Sequence, residues 1–120
     1  MLTVHVVPRK TINVYAPGTN YRAISIVLDK HPWLTPAKTV YPKPSVYFFQ
    51  PLKEQVLVYR EPFTLTMGIA VKTIPRGTTQ LKVTGVVEYQ ACDDKLCYLP
   101  ETVPWTLTVK VNKSQVASNK

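Results

Sequence analysis

The chain has 120 residues, which bounds it to one domain with room for a real core. Hydrophobic residues make up 45% and charged residues 18%, which excludes a disordered chain, and two cysteines are too few for a disulfide scaffold. The formal net charge of +8 is scattered, with only Arg9 and Lys10 adjacent among the basic residues, so a solvated basic surface is expected and a nucleic-acid binder is not.

Short strands are expected at 3–7, 11–15 and 22–29, with the turn signal "APGTN" at 16–20 between the second and third. The first ten residues, "MLTVHVVPRK", lack the apolar run of a signal peptide, and no run of 18 apolar residues follows to span a membrane. That leaves a cytosolic protein or a chain whose leader was removed. Residues 30–44, "KHPWLTPAKTVYPKP", are expected to be an irregular, proline-bound connection. Strands follow at 45–49 and 55–59. "FTLTMGIAV" then alternates, with Phe63, Leu65, Met67, Ile69 and Val71 on one face and Thr64, Thr66, Gly68 and Ala70 on the other. After "IPRGTT" at 74–79, "LKVTGVVEYQA" places Leu81, Val83, Val87, Tyr89 and Ala91 inward. "VPWTLTVKV" does the same with Val103, Trp105, Leu107, Val109 and Val111. Residues 112–120 are polar and are expected to be a frayed tail or linker. Eleven prolines and no capped helical period complete the pattern. The expectation is an all-β fold, an immunoglobulin-like antiparallel β-sandwich over residues 1–111.

The two cysteines, Cys92 and Cys97, sit in "YQACDDKLCYLP". In a straight strand their Cα atoms would lie roughly 16 Å apart, and in a helix about 7.5 Å apart along the axis. A disulfide needs about 4.4–6.8 Å. A hairpin with Asp93-Asp94-Lys95-Leu96 as its loop brings them opposite each other. Such a bond closes so small a loop that chain entropy gives it only about 2 kcal/mol. It is also too local to join two sheets as an immunoglobulin staple does. By strand parity Ala91 faces inward and Cys92 outward, while Cys97 would face inward unless a bulge resets the phase before Val103. Zinc would need further ligands, and His5 and His31 are not spaced to supply them. No hydrolase or phosphate-loop motif is present, and Asp93 and Asp94 read as turn formers. A staple and an exchange pair both stay open on these grounds.

The stretch "VVEYQACDDKLCYLPETVPWTLTV" resembles the N-terminal periplasmic domain of the transmembrane thiol:disulfide reductase DsbD. The shared features are Tyr-Gln before the first cysteine, the short spacer, and Cys-Tyr-x-Pro-Glu-Thr after the second. "YFFQPLKEQVLVYREPFTLTMGI" looks like that family's aromatic cap loop and the strands behind it, so the likeness spans about residues 46–109. The resemblance implies an immunoglobulin-like sandwich with the cysteines at one end and no cofactor. It implies that Cys97 attacks partner disulfides and Cys92 resolves the mixed disulfide. It implies a cap loop at Phe48 and Phe49, with Tyr47, Gln50 and Pro51 nearby. The implied electron donor is a thioredoxin-like domain or protein fed by a membrane-embedded partner, outside this chain. The implied acceptors are oxidised periplasmic proteins. An oxidising, extracytoplasmic compartment follows, with the leader absent from the chain at hand. The competing reading is a non-catalytic binding domain with a structural hairpin disulfide. A thiol peroxidase-like enzyme is disfavoured, because no βαβ pattern surrounds the pair.

Overall fold

The computed structural model describes residues 1–111; the expected tail at 112–120 lies outside the described residues. Ten strands account for most of the chain: β1 Leu2–Val6, β2 Asn13–Tyr15, β3 Ser25–Leu28, β4 Leu34–Val40, β5 Ser45–Phe49, β6 Glu54–Tyr59, β7 Phe63–Val71, β8 Gln80–Tyr89, β9 Ala91–Cys92 and β10 Glu101–Lys110. They form three antiparallel sheets, ordered β1-β7-β4, β10-β8-β3 and β5-β6-β2-β9.

The first two sheets make the sandwich. Leu65 and Met67 of β7 and Leu2 of β1 are buried in one cluster with Ile26 of β3, and Val87 and Trp105 of the facing sheet pack against it. Leu34 of β4 joins Leu81 and Val83 of β8 in a second cluster. Alternation explains both, because period-two strands present one apolar face to the opposing sheet. The all-β, immunoglobulin-like expectation therefore holds. Gly85 is where β8 meets its neighbours most tightly. A Cβ there would lie 2.1 Å from the Val27 carbonyl oxygen and 2.5 Å from Cζ2 of Trp105. Only glycine lets the indole lie across the strand.

Two expectations need correction. Residues 30–44 are not an irregular connection, because they contain the seven-residue strand β4, paired with β7. Only Leu34 of that strand is buried, so no alternation marks it. Pro36 is tolerated because β4 is an edge strand, with a register shift between Pro36 and Thr39. In β10 the inward face is as expected: Val103, Trp105, Leu107 and Val109 pair with Val87, Gly85, Val83 and Leu81. Yet Val103, Leu107 and Val109 stay substantially exposed, since β10 too is an edge and only Trp105 reaches the core.

Candidate redox site

The third sheet has a small core of its own, made by Tyr15, Phe49, Val56, Val58 and Cys92, with Tyr21, Tyr47 and Cys97 packed against it. Cys92 and Cys97 face each other across a hairpin and are joined as a disulfide, with Cα atoms 4.0 Å apart. Asp93 builds the intervening turn. Its Oδ1 accepts the backbone N–H groups of Lys95 and Leu96, both at 2.8 Å, and its Oδ2 accepts the Tyr98 hydroxyl at 2.8 Å. The Asp93 N–H donates to the Leu96 carbonyl at 3.0 Å, and Tyr98 N–H donates to the Ala91 carbonyl at 2.9 Å. Those backbone donors, then Tyr98, hold the Asp93 carboxyl below the usual carboxylate range.

The parity argument for Cys92 fails. Cys92 is 1% exposed, and Ala91 beside it is buried as well. The reason is a change of sheet. β8 ends at Tyr89 in the β10-β8-β3 sheet, and after Gln90 the chain pairs with β2 in a different sheet, so the count restarts. Cys97 is partly exposed, and the break at Tyr98–Pro100, before β10 begins, resets its phase relative to Val103. The pair is thus asymmetric: one sulfur-bearing residue is sealed and the other reaches the surface.

Tyr15 connects the two. Its hydroxyl lies 2.7 Å from Cys92 Sγ and 3.2 Å from Cys97 Sγ. Disulfide sulfurs carry no hydrogen, so the hydroxyl is the donor. Burial pushes the Tyr15 phenol well above its ordinary pKa, and Tyr21, Glu54 and Tyr47 push it the same way, so the proton stays on the oxygen. The Tyr15 ring stacks on Tyr21 with centroids 4.3 Å apart, and the Tyr21 hydroxyl donates to Glu54 at the start of β6.

The cap expected from residues 47–51 divides. β5 ends at Phe49, a short 3-10 turn covers Gln50–Leu52, and Lys53 closes it in the left-handed region at φ 48°. Phe49 is buried in the cluster with Cys92, and Tyr47 packs partly against it. The Tyr47 hydroxyl donates to Asp94 Oδ1 at 2.8 Å, and the Arg60 guanidinium sits 5.0 Å over its ring. Phe48 is 48% exposed, and Gln50 and Pro51 are exposed. Alternation along β5 sends Phe48 and Phe49 to opposite faces. Asn13, Tyr15, Tyr21 and Glu54 were not legible as site residues. The available signal was "NVY" at 13–15, three consecutive buried residues that read only as a generic strand.

Among the described residues, no three histidines, cysteines, aspartates or glutamates lie together as a metal site would require. Among the described residues, too, no helix is long and apolar enough to cross a membrane. No curated protein and no solved structure matches the chain. A family model does, over residues 18–108, a span that includes the cysteine hairpin described above. With three quarters of its sequence under that match, the chain belongs to the family of the N-terminal domain of the thiol:disulfide interchange protein DsbD.

Proposed function

We propose that this domain relays reducing equivalents by thiol–disulfide exchange through Cys92 and Cys97, in an extracytoplasmic compartment. The observation that carries the reading is the asymmetry of the pair, with Tyr15 donating to the sealed sulfur. In the loading step a donor thiolate attacks Cys97 Sγ. The Cys92–Cys97 bond breaks, its electron pair goes to Cys92 Sγ, and a mixed disulfide to Cys97 forms. The Tyr15 hydroxyl, 2.7 Å from that sulfur, stabilises the charge that develops there. A second donor thiolate then releases the mixed disulfide and leaves both cysteines reduced. In the delivery step the Cys97 thiolate attacks the disulfide of an oxidised partner, and Cys92 resolves the product. The donor is a thioredoxin-like domain or protein, and the acceptors are oxidised periplasmic proteins. The strand-to-turn segment around Phe49 and Tyr47 covers the pair and moves aside on docking.

A structural disulfide is the second reading, favoured by the burial of Cys92. One experiment separates the two. Cys92→Ser should accumulate mixed disulfides through Cys97, visible as reducible adducts, whereas Cys97→Ser should not. A reduction potential below about −300 mV, with no adduct in either variant, returns the bond to a structural role.

A further inference from the structure

Asn13 is 1% exposed, and neither its Nδ2 nor its Oδ1 makes a hydrogen bond of good geometry, although the amide lies near enough to the Tyr47 hydroxyl to favour its ionised form. The other buried side-chain atom of this kind among the described residues is Trp105 Nε1, on β10 in the β10-β8-β3 sheet. A buried amide with nothing to bond costs roughly 1–3 kcal/mol, so its place in the fold calls for a physical account. Asn13 stands directly opposite Cys92 in the β2–β9 ladder. Directly opposed residues point to the same face with Cβ atoms about 4.5–5.5 Å apart, which puts a cysteine sulfur within reach of an asparagine amide. Tyr15, two residues on, shares that face and already touches Cys92 Sγ.

We infer that Asn13 is a positioning residue for the reduced state: its Nδ2–H donates to the Cys92 thiolate. A disulfide sulfur is a weak, uncharged acceptor, so in the oxidised protein the amide makes no well-formed hydrogen bond and has only the Tyr47 hydroxyl near it. When attack on Cys97 breaks the S–S bond, the electron pair arrives on Cys92 Sγ, and a strong charged acceptor appears opposite a waiting donor. Cys92 is sealed from water, so its thiolate depends on protein donors, and Asn13 makes the second beside Tyr15. The bond exists only after reduction. It therefore lowers the Cys92 thiol pKa and makes the disulfide easier to reduce. Asn13 and Tyr15 both lie before the matched segment 18–108, so their roles rest on this geometry alone.

This inference deepens the exchange reading and rests on it, yet it is tested on the isolated domain without a partner. In a Cys97→Ser background, Cys92 is the sole thiol, and its pKa is read from thiolate absorbance. The ionisable neighbours are Tyr15, Tyr21 and Tyr47, the carboxylates Glu54, Asp93 and Asp94, and the cations Arg60 and Lys95. All are retained in every variant, so a difference reports Asn13. Asn13→Leu, near in volume but without a donor, should raise the Cys92 pKa about tenfold in acidity constant. In the protein with both cysteines it should shift equilibrium with glutathione toward the disulfide by a comparable factor, which is about 30 mV for this couple. Chemical unfolding gives an independent reading. Asn13→Leu should leave the oxidised form as stable or more stable, and should weaken only the reduced form. An unchanged Cys92 pKa, or equal destabilisation of both redox forms, overturns the inference. Failure of Cys92→Ser to capture any partner would count instead against the exchange reading.

Discussion

The sandwich core and the cysteine sheet solve the burial problem differently. Between the two large sheets, Leu2, Ile26, Leu65 and Met67 fill space with carbon and a thioether and need no hydrogen-bond partner. Around the cysteines the filling is done by Tyr15, Tyr21, Tyr47 and Phe49, and three of those rings carry hydroxyls aimed at Cys92, Glu54 and Asp94. The first region is a packing solution. Each region also holds one buried side chain with unpartnered polar atoms, Trp105 against the sandwich core and Asn13 beside the cysteines, but only in the second does that group stand opposite a sealed sulfur.

That contrast predicts which substitutions move stability and which move exchange. The largest effect belongs to Phe49→Ala, the one change that should move both. Deleting a ring that is 2% exposed should cost about 3–5 kcal/mol and, if the proposed cover is thinned, also speed attack by dithiothreitol on the disulfide. Leu65→Ala in the large core should cost about 2–5 kcal/mol in urea unfolding, while the folded protein reacts with dithiothreitol at the wild-type rate. A slowed or accelerated reaction in that variant would show that the two regions are not separable.

Tyr15→Phe keeps the ring stack and removes the hydroxyl. Loss of a hydrogen bond to a charged sulfur should slow reduction of the disulfide about tenfold, with a stability change of about 1 kcal/mol or less. Since the Tyr15 phenol is held above its ordinary pKa, the wild-type rate should show no inflection from it between pH 6 and pH 9. Asp93 supplies a smaller, acid-side effect. Its carboxyl is depressed in the fold, so its contribution is complete above the ordinary carboxylate pKa and is lost as pH falls through the folded value. Asp93→Asn should flatten that acid limb in a stability–pH titration by lowering stability at neutral pH, with wild type and variant converging at low pH. The smallest effect is expected on β10. Val103→Thr, at a half-exposed edge position, should stay within about 0.5 kcal/mol of wild type.

Sequence periodicity is enough for β7, with five apolar residues in alternation, and for β8, with Leu81, Val83, Val87 and Tyr89 around Gly85, since such strands can face only one way. It was enough for the hairpin too, because the reach of a disulfide leaves a five-residue separation few geometries. It missed β4, since an edge strand with one buried residue and an internal proline carries no alternation. It put Cys92 on the wrong face because parity holds only within one sheet, and the switch at Gln90 leaves no mark in hydrophobicity. The resemblance points to residues 47–51 without separating Phe48 from Phe49, and it is Phe49 that lies buried in the cluster with Cys92. The closeness of Asn13 and Tyr15 to Cys92 is invisible in the sequence because Cys92 lies 79 and 77 positions away.

Gln90 itself has a mechanical meaning. Where the chain leaves one sheet for the next, the Arg22 backbone N–H donates to its side-chain oxygen at 3.1 Å, and its Nε2 donates to the Tyr98 carbonyl at 3.2 Å. Its own carbonyl accepts the Tyr15 N–H at 3.1 Å. The kink is thus pinned on three sides, so it transmits tension instead of flexing. A partner tugging on a mixed disulfide at Cys97 would load β8 and β10 along their length, and their ladder from Glu101–Tyr89 to Lys110–Gln80 would bear that load in shear across many hydrogen bonds at once.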